Sequence, residues 1–427
     1  MFRILCCIVF LASLISCSSS EKKENAILVA KNSAIKEYIN TLSDEVKISQ
    51  LFLVNIEGNK NFYNVEKTGA LYGNRREGVP LVPGGCILFS YNIGDTPEQL
   101  FNFIKSIHSF YKENNNPPPY IAIDQEGGDV NRLRKLTSKL PSQKWIAENF
   151  SEKQAKALYD FQAEQLKLLG INMNLAPVVE VSDSFNEKFL DTRTFGTLDD
   201  VKKYGEISIN SYESHGIATV LKHFPGNSNV DPHTGLPQLF INQKNSDFYL
   251  KPFEVLLNKS SCVLLSHAIV NITDNSVENY KAMPSCFSEY WVTEYLRNKL
   301  KFDGIIFSDD IFMSALADNG YSSDIAVVKA IEAGVDCIML SEKRFAEVGG
   351  ILLKRAAEDS VFSNKIDSAV FNIIKYKIKA GLLMLVPISE NKRPSFKVKV
   401  SDFLMDFDSE HFNNSFKKGT EVFYETE

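Results

Sequence analysis

The sequence predicts an α/β fold, a single (β/α)8 barrel of TIM type, on three observations. Eight short apolar runs recur along the chain, segments of helical spacing stand between them, and the eight units fill about 340 residues. The runs are Leu51 to Asn55, Cys86 to Phe89, Tyr120 to Asp124, Ile171 to Pro177, Ala218 to Lys222, Cys262 to His267, Gly304 to Asp309 and Asp336 to Leu340. A run of this length is ambiguous alone. Alternation with helical stretches argues for parallel strands covered on both faces, since such strands read as continuous apolar runs. Eight units in this length fit a closed barrel better than an open parallel sheet, which the alternation by itself leaves as the alternative.

Taken in order, residues 1–16 read as an export signal, with Arg3 as the positive region and Ile4 to Ile15 as the apolar one. That run is short of the ~20 residues a membrane span needs. Leu14-Ile15-Ser16-Cys17 resembles a bacterial lipobox, which implies lipidation of Cys17 and a tether over residues 17–30. The expected place is then a bacterial membrane, on its periplasmic or cell-surface side. The barrel is expected over residues 31–385. Ser43, with Asp44 and Glu45 behind it, has the pattern of a capped helix leading into the first strand. Pro97 to Lys112, Glu152 to Leu169 and Asp324 to Ala333 have helical apolar spacing, and a last helix lies around Phe371 to Leu383. Residues 386–427 are expected to be a polar tail, too short for a core of their own.

Composition narrows the function. A net charge of −6 offers no basic surface for phosphates, which sets nucleic acid aside. Cys86, Cys262, Cys286 and Cys337 remain in the mature body without a C-x-x-C pair, which suggests no metal knuckle; Cys86, Cys262 and Cys337 sit in apolar runs and read as buried small hydrophobes, with a disulfide as the lesser alternative. Walker, zincin and nucleophile-elbow motifs are missing.

In a parallel barrel, catalytic groups come from the C-terminal strand ends. Here those ends are polar: Asp124 closes the third run, Lys222 and His223 the fifth, His267 the sixth, and Asp309 with Asp310 the seventh. Strand alternation lets one acid of the last pair face the mouth while the other turns outward. Read by pattern alone, the pair suits a nucleophile or a divalent cation equally. The Pro- and Gly-rich stretch from Lys222 to Pro237 must be a loop, and in it Asp231 and His233 stand two apart. A carboxylate so placed can fix an imidazole tautomer for proton transfer, although an Asx turn beside a bystander histidine fits the same spacing.

Together, these segments resemble the family 3 glycoside hydrolases, specifically the single-barrel bacterial β-N-acetylhexosaminidases, from about Leu42 to Leu383. The ordered set is Leu42 to Gln50, Pro83-Gly-Gly-Cys-Ile-Leu-Phe89, Ile123-Asp-Gln-Glu-Gly-Gly128 with Arg132 after it, Asn172 to Pro177, Arg193-Thr-Phe-Gly196, Lys222-His-Phe-Pro-Gly226, Asp231-Pro-His233 and Phe307-Ser-Asp-Asp310. The resemblance implies a retaining exo-β-N-acetylhexosaminidase, free of metal and cofactor, acting on peptidoglycan fragments or related glycans; a monomer is expected. In it Asp309 is the nucleophile, His233 the acid/base and Asp231 its orienting partner, while Asp124, Arg132, Arg193, Lys222 and His223 grip the sugar. Broader family 3 β-glycosidase activity, phosphorolysis, and a carbohydrate-binding lipoprotein without turnover are the alternatives it carries. Two departures stand out: Asp129 replaces the family's usual Arg, and only Asn-Ser-Asn-Val separates Gly226 from Asp231, a shortened acid/base loop.

Overall fold

All eight apolar runs form strands of one parallel sheet in the computed structural model, which describes residues 23–61, 82–274, 276–340, 344–388, 393–402 and 406–424. They are β1 (Phe52–Asn55), β2 (Gly85–Leu88), β3 (Tyr120–Ile123), β4 (Met173–Asn174), β5 (Ala218–Phe224), β6 (Cys262–Leu265), β7 (Ile305–Ser308) and β8 (Ile338–Leu340). Their spatial order is β7-β6-β5-β4-β3-β2-β1-β8. A parallel bridge from Phe307 to Cys337 joins β7 to β8 and closes the barrel. Strands β2, β3, β5, β6 and β7 are buried at every position, which explains why they read as apolar runs without alternation.

The helices between them follow the apolar spacing to within a residue: Pro97–Glu113, Glu152–Leu168 and Ser323–Ala333. Ser43 caps the helix Asp44–Gln50, its Oγ accepting from the Val46 N–H. Gly85 makes room for the Tyr120 ring inside the barrel, because a Cβ there would sit 2.2 Å from a ring carbon. Cys86, Cys262, Cys286 and Cys337 are buried and free, so the disulfide alternative fails. No described helix is long and apolar enough to cross a membrane.

Both ends carry ordered elements. A helix over residues 23–40 begins inside the stretch read as tether and buries Ala34, Ile35 and Ile39. Leu383–Pro387 pairs with Phe396–Val400 in a hairpin at the start of the polar tail, and the helix Ser409–Glu421 follows. That helix buries Phe412, and His411 Nε2 meets Glu164 Oε1 at 2.8 Å, so it docks on the helix Glu152–Leu168. A few aromatic residues, Phe407, Phe412 and Phe423, carry this packing within a polar background, and average composition hides them. The expected export signal, Cys17 and the first part of the tether lie outside the described residues.

Lys377 is wholly buried, its Nζ donating to Gln50 Oε1 at 2.5 Å and standing 5.8 Å from the centre of the Tyr120 ring. Burial pushes its ammonium down to about 7. The unfolded chain therefore binds more protons than the folded one between about pH 7 and 10, and the penalty for burying Lys377 fades as pH rises through that window. Relative to Lys377→Met, the wild-type protein should gain up to ~1.4 kcal/mol of stability per pH unit there. Urea midpoints of both proteins across the window test this, and a constant difference would refute it.

Candidate active site

A cavity of about 370 Å³ opens at the C-terminal end of the barrel and is lined by Asp124, Arg132, Arg193, Lys222, His223, His233 and Asp309. Of the expected catalytic and sugar-binding residues, only Asp231 is not on its wall, and it is hydrogen-bonded to His233, which is. The size lies within the range of small-molecule sites.

The chain segment after β3 explains the placement of the first acids. Gln125–Gly127 pairs with Val130–Asn131 in a tight ribbon. Gly127 at its turn has φ of 103°, and a Cβ there would lie 2.1 Å from the Pro141 carbonyl oxygen. In an extended segment, residues two apart share a side. Asp124 and Glu126 accordingly both reach the Lys222 Nζ, at 2.8 and 2.7 Å. Gln125 points elsewhere, accepting from the Leu133 N–H.

Glu126 also receives Arg193 in a two-pronged pair, Nε to Oε2 at 2.9 Å and Nη2 to Oε1 at 2.8 Å. Burial alone would raise its carboxyl, but Lys222 and Arg193 hold it down to about 2. Burial likewise works against the charges of Lys222 and Arg193, and their carboxylate partners outweigh it, so both stay firmly protonated. Arg132 stands 3.9 Å from Asp124 Oδ2 and lies over the Phe89 ring, while Arg193 lies over Phe189. This is a wall of fixed charges and aromatic faces, suited to hydroxyl and carbonyl groups of a neutral ligand.

Lys222 and His223 stand next to the end of β5, whose ladder with β6 slips between Lys222 and Phe224, and both residues line the cavity. His223 Nδ1 meets Glu180 Oε1 at 2.7 Å, and the same oxygen accepts the His223 N–H and the Asn227 amide. A carboxylate only accepts, so Nδ1 carries the proton and Nε2 is left for a ligand. Glu126 and Glu180 are the functional residues the sequence reading missed. For Glu126 the signal was available in its two-residue spacing from Asp124. Glu180 lies just past the point where the fourth run was read as ending, although Val178 bridges to Lys222 and extends it.

Asp309 and Asp310 follow β7, and both residues border the cavity. The strand ends at Ser308, so alternation no longer governs them. The Asp310 N–H donates to Asp309 Oδ1 at 2.8 Å, and Asp310 Oδ1 accepts from the Phe312 N–H at 3.0 Å. His267 is a buried post below, its Nε2 on the Asp310 carbonyl oxygen and its Nδ1 near the Cys286 thiol. Among the described residues no group of three or more His, Cys, Asp or Glu has a metal-holding arrangement.

The shortened loop does bring His233 to the cavity wall. Asp231 Oδ1 accepts both the His233 N–H at 2.9 Å and Nδ1 at 2.8 Å, so Nε2 is the free nitrogen. The backbone N–H and the ring of His233 hold the Asp231 carboxyl below its ordinary range despite some burial. Here the Asx turn and the oriented imidazole, alternatives in the sequence, are one structure. Asp129, the other departure, contributes its carbonyl oxygen to Arg134.

The model of the glycosyl hydrolase family 3 N-terminal domain matches residues 45–376. The chain belongs to glycosyl hydrolase family 3. It is thus a glycoside hydrolase with a carbohydrate substrate. The family 3 barrel is 34% identical over 272 residues to the beta-hexosaminidase of Actinobacillus pleuropneumoniae serotype 3, covering 61% of this chain and 74% of that one. Beta-hexosaminidase A of Pseudoalteromonas piscicida is 28% identical over 331 residues, 69% of this chain and 53% of its own. Among solved structures, the family 3 beta-N-acetylglucosaminidase of Paenibacillus sp. str. FPU-7 aligns with a TM-score of 0.68 at 24% identity, covering 88% of this chain and 69% of that chain. The beta-N-acetylhexosaminidase of Beutenbergia cavernae gives 0.67 at 23%, covering 79% of this chain and 98% of that one. These two likenesses speak to the fold.

Within this site, Glu126→Gln should remove the carboxylate that Arg193 grips with two hydrogen bonds and leave Lys222 with Asp124 as its one anionic partner. Breaking a buried ion pair typically costs ~3–5 kcal/mol, and the loss of order should raise KM as well. A carboxyl held at about 2 contributes fully above its unfolded value of about 4.5, and that contribution falls progressively as pH drops from there to about 2. The wild-type site should therefore outlast mild acid. Unfolding midpoints of wild type and variant at pH 7 and pH 3.5 test this, and equal stability at both would refute it.

Proposed function

We propose that this enzyme is a retaining, exo-acting β-N-acetylhexosaminidase that removes terminal β-linked N-acetylglucosamine. The beta-hexosaminidase names of its sequence relatives support the substrate class. The observation that carries the mechanism is the His233–Asp231 pair, closed at 2.8 Å on the wall of the cavity that also holds Asp309. In the first step an Asp309 carboxylate oxygen bonds to the anomeric carbon as the glycosidic C–O bond breaks, and protonated His233 gives its Nε2 proton to the departing oxygen. In the second, neutral His233 takes a proton from water, whose oxygen attacks the same carbon and expels Asp309. Two inversions leave the β configuration. Asp124, Arg132, Arg193, Lys222 and His223 grip the ring hydroxyls and the acetamido region, and Glu126 and Glu180 keep those side chains in place. Peptidoglycan fragments or related glycans are the intended substrates.

A panel of aryl β-glycosides tests the proposal on the purified protein. N-acetylglucosaminide should be cleaved and the matching glucoside spared. Equal cleavage of both would indicate a broader β-glycosidase, a sugar 1-phosphate formed on adding phosphate a phosphorylase, and binding without turnover of any β-glycoside a carbohydrate-binding lipoprotein.

We also propose that the protein is exported and works as a monomer held on the periplasmic or cell-surface side of a bacterial membrane by lipid on Cys17. The apolar run before Leu14-Ile15-Ser16-Cys17 supports this. An acyl chain contributes ~0.8 kcal/mol per buried CH₂, so Cys17→Ala should move the protein from the detergent phase to the aqueous phase or stall its processing. Unchanged partitioning would count against the anchor.

A further inference from the structure

His233 has little packing to hold it. Its side chain is 70% exposed, and its link to Asp231 lies within one turn, which fixes the imidazole relative to Asp231 but not relative to the sugar. Yet a general acid must come within ~3 Å of the oxygen it protonates, and a 1 Å misplacement can cost ~10²-fold. Something outside the turn must set its position over the cavity.

Two side chains reach the loop from opposite flanks. Asn229, two residues before Asp231, accepts the Lys188 N–H on Oδ1 at 2.8 Å and donates from Nδ2 to the Ser184 carbonyl oxygen at 2.8 Å. Ser184 and Lys188 belong to the segment that carries Phe189 to the cavity wall, against which Arg193 lies. On the other flank, Ser314 Oγ donates to the His233 carbonyl oxygen at 2.8 Å. Ser314 stands five residues after Asp309, on the segment whose Met313 also lines the cavity. The loop leaves β5 and is fastened beyond β7, two strands along in the sheet order.

We propose that Asn229 and Ser314 are positioning residues that hold His233 at working distance from the scissile oxygen, Asn229 by tying the loop to the sugar-gripping wall and Ser314 by tying it to the nucleophile's own segment. The shortened loop is thereby preset across the cavity and does not depend on the substrate to draw it in. This rests on the reading of His233 as the acid/base.

The test is the leaving-group dependence of kcat/KM, which reports formation of the glycosyl-enzyme. In the full-length protein, Ser314→Ala and Asn229→Ala should each lower kcat/KM about 10-fold for an N-acetylglucosamine disaccharide. The 4-nitrophenyl glycoside, whose phenolate needs no proton, should change less than about 2-fold. Ser314→Thr keeps the hydroxyl and should restore the disaccharide rate, whereas a residue that merely supports the fold would affect both substrates alike. Asn229→Asp keeps the acceptor for Lys188 but loses the donor to Ser184, and should fall between. Equal losses on both substrates, or none on either, would overturn the proposal. Melting temperatures identify any variant that has lost its fold, in which case the other flank decides. If His233→Ala itself shows no leaving-group dependence, the acid/base reading fails and takes the latch with it. If His233→Ala does show it while the flank variants do not, only the latch falls.

Discussion

Asp309→Asn is expected to lower kcat by at least about 10³-fold, a loss of roughly 4 kcal/mol in transition-state stabilisation. The amide keeps the shape and can still accept the Asp310 N–H that now bonds to Asp309 Oδ1 at 2.8 Å, so the loop should keep its fold. What disappears is the charge that opposes the oxocarbenium ion and the electron pair that closes on the anomeric carbon. Asp310→Asn provides the contrast. Its Oδ1 accepts a backbone N–H from Phe312, which an amide oxygen does equally well, so most activity should survive. Labelling with a 2-fluoro sugar decides between the two acids: the ester should form on Asp309. Ester on Asp310, or no ester in an active enzyme, would show that the roles are misassigned.

The fold was legible because a parallel barrel buries both faces of every strand, and that leaves a mark on the sequence itself. All eight runs lie where strands form, even β4, of which only Met173–Asn174 has regular pairing. The elements at the two ends of the chain were not legible for a related reason. Neither helix 23–40 nor Ser409–Glu421 lies inside the barrel, and each buries only a few apolar residues among many polar ones, so composition gave no sign of them.

The site was legible to a different depth. Residues at strand ends announce themselves as charges interrupting apolar runs, which located Asp124, Lys222, His223 and Asp309. The residues that hold them did not. Glu126 and Glu180 matter through partners 67 and 43 positions away, Arg193 and His223, and only the folded chain brings such residues together. The two sequence departures also resolved differently. The short Asn-Ser-Asn-Val stretch does not keep His233 from the cavity, because Asn229 within it fastens the loop to the neighbouring segment. Alternation could not sort Asp309 from Asp310, because both lie beyond the last strand residue, Ser308.

His233→Ala should separate substrates by leaving group. With Nδ1 bound to the Asp231 carboxylate, Nε2 is the nitrogen that can deliver a proton, and removing it matters in proportion to how badly the leaving oxygen needs one. For a disaccharide, glycosyl-enzyme formation should slow by ~10²–10⁴-fold, and for a nitrophenyl glycoside far less. The second step lacks its base as well, so the activated substrate should give a burst of nitrophenolate followed by slow turnover. Azide needs no base to attack the ester and should speed that phase, yielding the β-glycosyl azide. Asp231→Asn should give a milder version, because the amide oxygen can still accept from the His233 N–H and Nδ1 while the negative charge is gone. A His233→Ala enzyme that slows equally on both substrates, shows no burst and ignores azide would mean that the imidazole serves only the loop, and that the proton comes from another group on the cavity wall.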